Sequence, residues 1–241
     1  MIIKPDLNQH HYRLTAEDLQ SRILFKDKYM IVVNKPAGIP VHPGARGNYS
    51  MEEFFPHLRF EYHEDPQLAH RLDRDTSGCL ILSRRKSSRS KLGTMFENKT
   101  ITKTYWAIVH GSPKEDSGLI SNYIKKEKDI RGWYARICEK HEEGAKTCIT
   151  SWKVVKRFDG YTWLELEPKT GRTHQIRVHC AYSLGCPIIG DWVYGPEAKE
   201  GETLPMLHLH ARSVTIPFYH DEKPVYVEAP APEHMAEKLN S

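Results

Sequence analysis

The chain has 241 residues, 39% of them hydrophobic and 27% charged, which excludes a disordered chain and suits one large globular domain or two joined halves that share a core. The formal charge is +4, from 35 basic and 31 acidic residues, so a nucleic-acid partner is permitted but only clustered cations would demand one. No run of about eighteen apolar residues offers a membrane span, the opening MIIKPDLNQHHYRL lacks the apolar core of a signal peptide, and five cysteines without a CxxC pair suggest neither a disulfide framework nor a zinc ribbon; a cytoplasmic protein with reduced thiols is expected.

Residues 1–22 form a polar lead-in with one amphipathic stretch, AEDLQSRIL. Ile23 to Phe25 and Met30 to Asn34 are short β-branched runs around a Lys26-Asp27-Lys28 turn, a hairpin signal. Pro36, Gly38, Pro40, Pro43, Gly44 and Gly47 then mark an exposed loop. Cys79 to Ser83 (CLILS) reads as a buried strand closed by Arg84-Arg85-Lys86. Ser87 or Ser88 can cap a helix to about Asn98, with Leu92, Met95 and Phe96 on its apolar side. ITKTYWAIVHG predicts a strand ending at Gly111, and its period of two puts Lys103, Tyr105, Ala107 and Val109 on one face, Thr104, Trp106 and Ile108 on the other.

The charge-rich stretch 113–145 predicts a long exposed hairpin with a mobile tip. Residues 147–158 and 161–167 predict two more strands joined at Asp159-Gly160. A helix is expected from about Thr173 to Leu184, ended by Gly185. LHLHARSVTI and PVYVEAP are the last two strand candidates. The sum is an α+β chain: a mixed, mainly antiparallel central sheet flanked by helices. There is no βαβ rhythm, GxGxxG or P-loop, so no nucleotide cofactor is indicated.

One segment stands apart. His70-Arg71-Leu72-Asp73-Arg74-Asp75-Thr76-Ser77-Gly78 packs two arginines and two aspartates immediately before an apolar strand, where each charge needs water or a partner. Local composition favours a plain reading, a solvated turn in which Asp75, Thr76 and Ser77 bond to nearby backbone.

HRLDRDTSG, however, resembles the catalytic signature of the RluA family of RNA pseudouridine synthases. ILFKDKYMIVVNKPAGIPVHPG resembles that family's opening motif, TKTYWAIVHG its tyrosine-bearing strand, and TGRTHQIRVHCAYSLGCPIIGDWVYG its C-terminal motif. LHLHARSVTIPFYHDEKPVYVEAPAPEHM is similar to the family's ending. The motifs run in the family's order from about residue 23 to 236.

The resemblance implies the pseudouridine synthase fold with an active-site cleft across the sheet, a catalytic domain over residues 23–241, and isomerisation of uridine in ribosomal or transfer RNA. The bond from ribose C1′ to N1 breaks, the uracil turns, and a bond from C1′ to C5 forms. Nothing is oxidised, so no cofactor and no metal are expected. The family's essential aspartate falls on Asp73, acting either as a nucleophile or as a base on the sugar. A carboxylate that must stay ionised away from water needs a cation, and the family's arginine falls on Arg177; from the residues alone Arg177 reads as a surface cation that snorkels from a helix. Tyr105 matches the active-site tyrosine, although a tyrosine in a strand is more often core.

A uridine in folded RNA must leave its stack to be reached. Arg71 matches the residue inserted in its place, with a plain phosphate contact as the competing role. Lys35 of NKPAG is expected to support the site or touch RNA, and Lys103, Arg74 and Arg172 to contact RNA. His174, His179, His208 and His210 with Cys180 and Cys186 match no common zinc spacing. The runs Arg84-Arg85-Lys86 and Lys125-Lys126 are plausible phosphate contacts. The first 22 residues are too few for the S4-type RNA-binding domain that many relatives carry, so RNA selection is expected to rest on the catalytic domain of a monomer with no obligatory protein partner. Two alternatives stand beside this reading: a base-flipping RNA N-glycosidase, and a non-catalytic RNA-binding module.

Overall fold

In a computed structural model of the chain, residues 14–43, 49–129, 132–196 and 204–239 are described. The elements in chain order are α1 (Ala16–Ser21), β1 (Ile23–Lys26), β2 (Met30–Lys35), a 3-10 segment (Met51–Leu58), β3 (Gln67–Leu68), β4 (Ser77–Ser83), α2 (Lys86–Glu97) and β5 (Thr102–His110). They continue with β6 (Ser117–Asp129), β7 (Gly132–Cys138), β8 (Lys146–Arg157), β9 (Tyr161–Pro168), α3 (Gln175–Val178) running into a π-helical turn (His179–Ser183), β10 (Leu209–Ile216), β11 (Val225–Glu228) and α4 (Glu233–Leu239). The described residues divide into two compact units, one of 14–103 and 210–232 and the other of 104–209 and 233–239. No helix among them is long and apolar enough to cross a membrane.

In the first unit the strands lie in the order β1-β2-β4-β10, with β3 added to β4 and β11 to β10. All pairs are antiparallel except β4 with β10, which runs parallel at Ser77↔His210 and Gly78↔Ala211. Every residue of β4 is buried, which is why CLILS reads as an unbroken apolar run instead of alternating. Met30, Val32, Ile81, Leu92, Val214 and Ile216 centre this unit's core. The β1–β2 turn is set by Asp27, whose carboxylate accepts the N–H groups of Tyr29 and Met30 at 2.7 and 2.8 Å. Helix α1 opens with a capping box between Thr15 and Asp18. The α2 helix begins slightly earlier than expected: Arg85 is its N-cap, and Ser88 accepts the Arg85 N–H from the first turn.

The second unit is wholly antiparallel in the order β5-β9-β8-β6-β7. Strand β9 alternates half-buried and buried residues, as a sheet with one covered face requires. The period-two reading of β5 holds: Tyr105, Ala107 and Val109 join one apolar cluster, Trp106 and Ile108 another. The 113–145 hairpin is β6 with β7; its expected mobile tip, residues 130–131, lies outside the described residues. The helix expected from Thr173 to Leu184 is shorter, because His174 sits at φ +52, a left-handed conformation that cannot belong to a right-handed helix. Gly185 follows its end at φ +66, as foreseen. All five cysteines are thiols.

Candidate active site

The HRLDRDTSG segment forms the loop from β3 into β4. Leu72 and Thr76 anchor it in the interior, Asp73, Arg74 and Asp75 are half-buried, and Arg71 is exposed. Lys35, the last residue of β2, lies beneath it at 0% exposure. Its ammonium donates to the carbonyls of Pro36, Arg74 and Thr76 at 2.8, 2.8 and 2.9 Å, so its three hydrogens meet three acceptors. Burial pulls the Lys35 pKa down to about 7, while the nearby carboxylates of Asp75 and Asp73 work in the opposite direction. A second tie joins the NKPAG loop to the same segment: Gly38 N–H donates to the Arg74 carbonyl at 3.0 Å and Arg74 Nε to the Gly38 carbonyl at 3.1 Å. The Asp73 carbonyl accepts the Thr76 N–H at 3.2 Å and closes the turn. Main-chain bonding thus fixes the backbone that bears Asp73.

The loop's exit into β4 demands glycine. Gly78 has φ +106, and a Cβ there would stand 2.3 Å from the Ala211 carbonyl oxygen. Beside it Ser77 Oγ meets His210 Nδ1 at 2.8 Å, and His210 Nε2 lies 3.2 Å from the Ala229 carbonyl. At the entry, His70 Nε2 accepts the Ile81 N–H at 2.9 Å, and its ring stacks on Phe96. Burial, with Lys103 adding repulsion, pulls the His70 pKa to about 3, so it stays a neutral structural acceptor. A cleft of about 600 Å³ in this unit is lined by residues that include His42, Glu52, Phe55, Gln67, Arg71 and Arg89. Arg71 is therefore exposed and faces a cavity two residues from Asp73.

The second unit carries the TGRTHQIR segment. Gln175 is its organiser: its carbonyl oxygen accepts from Thr170 Oγ1 and the Arg172 N–H, and its amide donates to the Ile149 carbonyl and Thr150 Oγ1, at 2.8 to 3.0 Å. Arg177, on α3, is 3% exposed and forms a two-pronged pair with Asp191, Nε to Oδ2 at 2.8 Å and Nη2 to Oδ1 at 2.6 Å. Asp191 Oδ1 also accepts the N–H groups of Val193 and Tyr194. Burial would raise the Asp191 pKa, but Arg177 and these N–H groups hold it below the usual carboxylate value. The Arg177 guanidinium lies 5.2 Å from the centroid of the Tyr194 ring, whose hydroxyl accepts the Ala135 N–H and bonds His174 Nδ1, both at 2.8 Å. Tyr105 is half-buried on β5, opposite Leu166, and packs against the cluster that contains Ile176 and Cys180.

The predicted residues divide between the units: Lys35, Arg71, Asp73, Arg74 and Lys103 in the first, Tyr105, Arg172 and Arg177 in the second. Of the two roles expected of Lys35, supporting the site or touching RNA, its burial and its three main-chain acceptors fit the first. Two readings need correcting. Arg177 does not snorkel to the surface, because Asp191 compensates its charge inside. Arg84, grouped with the phosphate contacts, is also buried; its guanidinium donates to the carbonyls of Asp27 and Arg59 and pairs with Glu61. Lys103 is half-buried and lies 5.7 Å from the centroid of the Phe96 ring, whereas Arg172 is exposed with Nε on the Thr147 carbonyl. Asp191, Gln175 and Tyr194 were missed. Asp191 of GDWVYG was open to notice as a lone carboxylate after an apolar run. Among the described residues no three His, Cys, Asp or Glu side chains gather as a metal ion would require.

A family model described as RNA pseudouridylate synthase matches residues 29–182. An uncharacterized RNA pseudouridine synthase of Zymomonas mobilis is 37% identical over 89% of this chain and 95% of its own length. Ribosomal large subunit pseudouridine synthase C of Rickettsia felis is 34% identical over 90% of this chain and 70% of its own. Among solved structures, human RNA Pseudouridylate Synthase Domain Containing 4 superposes with a TM-score of 0.79 at 26% identity, covering 93% of this chain and 94% of that one. The span of the family model, the level of identity and the shared fold agree with one another, and the chain belongs to the RluA family of RNA pseudouridine synthases, isomerases that act on uridine in RNA.

Proposed function

We propose that residues 23–241 form a catalytic domain that flips a uridine out of a structured RNA and isomerises it with Asp73 as the reacting carboxylate. The observation that carries this is the Lys35 clamp: a buried ammonium fixes the Asp73 loop through its backbone and spends no hydrogen bond on the Asp73 side chain. In one route an Asp73 oxygen bonds to C1′ as the N1–C1′ bond breaks and the uracil leaves as its N1 anion. The uracil turns, C5 bonds to C1′, the aspartate is released, C5 loses its proton and N1 gains one. In the other route Asp73 first takes a proton from the sugar. Tyr105 is assigned to stacking on the uracil and to the proton at C5. Arg177 is assigned to the charge of the ionised carboxylate; its pair with Asp191 uses only Nε and Nη2 and keeps the guanidinium fixed. Arg71, exposed beside its cleft, is assigned to the gap left by the flipped base, with Arg74, Lys103 and Arg172 contacting RNA. The reading also takes the enzyme to be a cytoplasmic monomer. Ribosomal RNA is the first substrate to test, because the Rickettsia felis relative is named for the large ribosomal subunit.

The experiment is incubation with ribosomal and transfer RNA carrying tritium at uracil C5. Isomerisation releases tritium to water from an RNA of otherwise unchanged mass, with no free uracil. Free uracil and abasic RNA would establish the glycosidase instead.

A further inference from the structure

The hairpin of β6 and β7 has two unlike faces. Its register pairs Lys128 with Trp133, Lys126 with Ala135 and Ile124 with Ile137, and directly opposed residues share a face. The alternate residues make the other face, where Arg136 bonds both Glu127 and Glu142, and the Tyr134 hydroxyl donates to Glu127 at 2.7 Å. That face neutralises its own charge. The Lys126 face does not: among the described residues neither Lys126 nor Lys128 forms an ion pair with a carboxylate. Instead their ammonium groups stand 4.1 and 5.7 Å from the centroid of the Trp133 ring, which is 55% exposed.

We propose that Lys126, Lys128 and Trp133 bind an unpaired stretch of the substrate RNA, one base stacking on the indole and the neighbouring phosphates meeting the two ammonium groups. An exposed tryptophan gives every base a π-face, and flanking cations follow the backbone without reading sequence, which is the pattern of single-strand recognition. The position fits the use. Nearer the sheet the same face carries Ile124 and Ala135, which join Val178 and Tyr194 in one buried cluster, and Val178 follows Arg177 on α3. The platform is thus a continuation of the face that packs on the helix bearing Arg177. The inference rests on the reading of the chain as an RNA-modifying enzyme and adds where a second part of the substrate is held.

The test is made in the Asp73→Asn background of the full chain, where binding is measured without turnover, with single-stranded oligouridine and a blunt-ended RNA duplex as probes. Trp133→Ala weakens single-strand binding roughly ten-fold or more while leaving the duplex unchanged, and Trp133→Phe restores most of the loss. Lys126→Ala with Lys128→Ala lowers the slope of log affinity against log salt by about 1 to 2. In the active enzyme both sets raise KM and leave kcat at saturating RNA unchanged. Unchanged affinity and salt slope, or a lowered melting temperature with unchanged affinity, would overturn the proposal and leave Trp133 a structural cover for the hairpin. Weakened binding by these variants, together with a wild-type protein that releases no tritium, would instead keep the platform and reject the isomerase reading.

Discussion

Lys35 in the first unit and Arg177 in the second are both removed from water, yet Lys35 is ringed by three neutral carbonyls and Arg177 by the two oxygens of one carboxylate. The difference follows from the shapes of the two cations. An ammonium is a point charge with three donors that suits converging main-chain dipoles, whereas a planar guanidinium matches a carboxylate edge to edge. The consequences differ too. Lys35 organises backbone and has its pKa pulled down to about 7, while Arg177 helps hold the Asp191 carboxyl below its usual value and draws on that carboxylate for its burial.

The largest break in that comparison is Asp191→Ala, which takes the two-pronged carboxylate away from a buried guanidinium and should lower unfolding free energy by about 3–5 kcal/mol in urea denaturation. A loss under about 1 kcal/mol would mean that the pair is not what keeps Arg177 inside. Lys35→Met is expected to do less harm, about 2 kcal/mol, because three carbonyls lose a donor while the burial of a charge is relieved. Its pH dependence sharpens the contrast. The Lys35 pKa is about 7 in the folded protein against an ordinary 10.5, so between these values the unfolded chain keeps a proton that the folded chain has released. Unfolding free energy of the wild type minus that of Lys35→Met should therefore rise with pH across that window and stay flat below it. A difference that is flat throughout would show that the ammonium is bound too tightly by its carbonyls to titrate there.

Much of the fold was legible because its signals are local. The β-branched runs of β1 and β2, the period of two in β5, the Asp159-Gly160 turn and the Gly185 stop each declare themselves within a few residues. The Met51–Leu58 segment went unread although Met51, Phe55 and Leu58 are buried at helical spacing, because the preceding Pro- and Gly-rich stretch masked its start. The site was legible in its motifs but not in its supports. Nothing near Lys35 in sequence announces that its acceptors include Arg74 and Thr76, some forty residues on, and the Arg177–Asp191 pair spans a turn and a chain reversal that no periodicity reports. Buried polar partners are chosen by tertiary geometry, so a charged residue on its own reads as solvated.

The most direct measurement is tritium release from C5-labelled ribosomal RNA by wild type and by Asp73→Asn, paired with melting temperature and RNA affinity for both. Loss of all release in the variant, with melting temperature and affinity retained, is the predicted result. Release at the wild-type rate from a properly folded Asp73→Asn protein would contradict it, and the reacting group would have to be sought elsewhere in the chain.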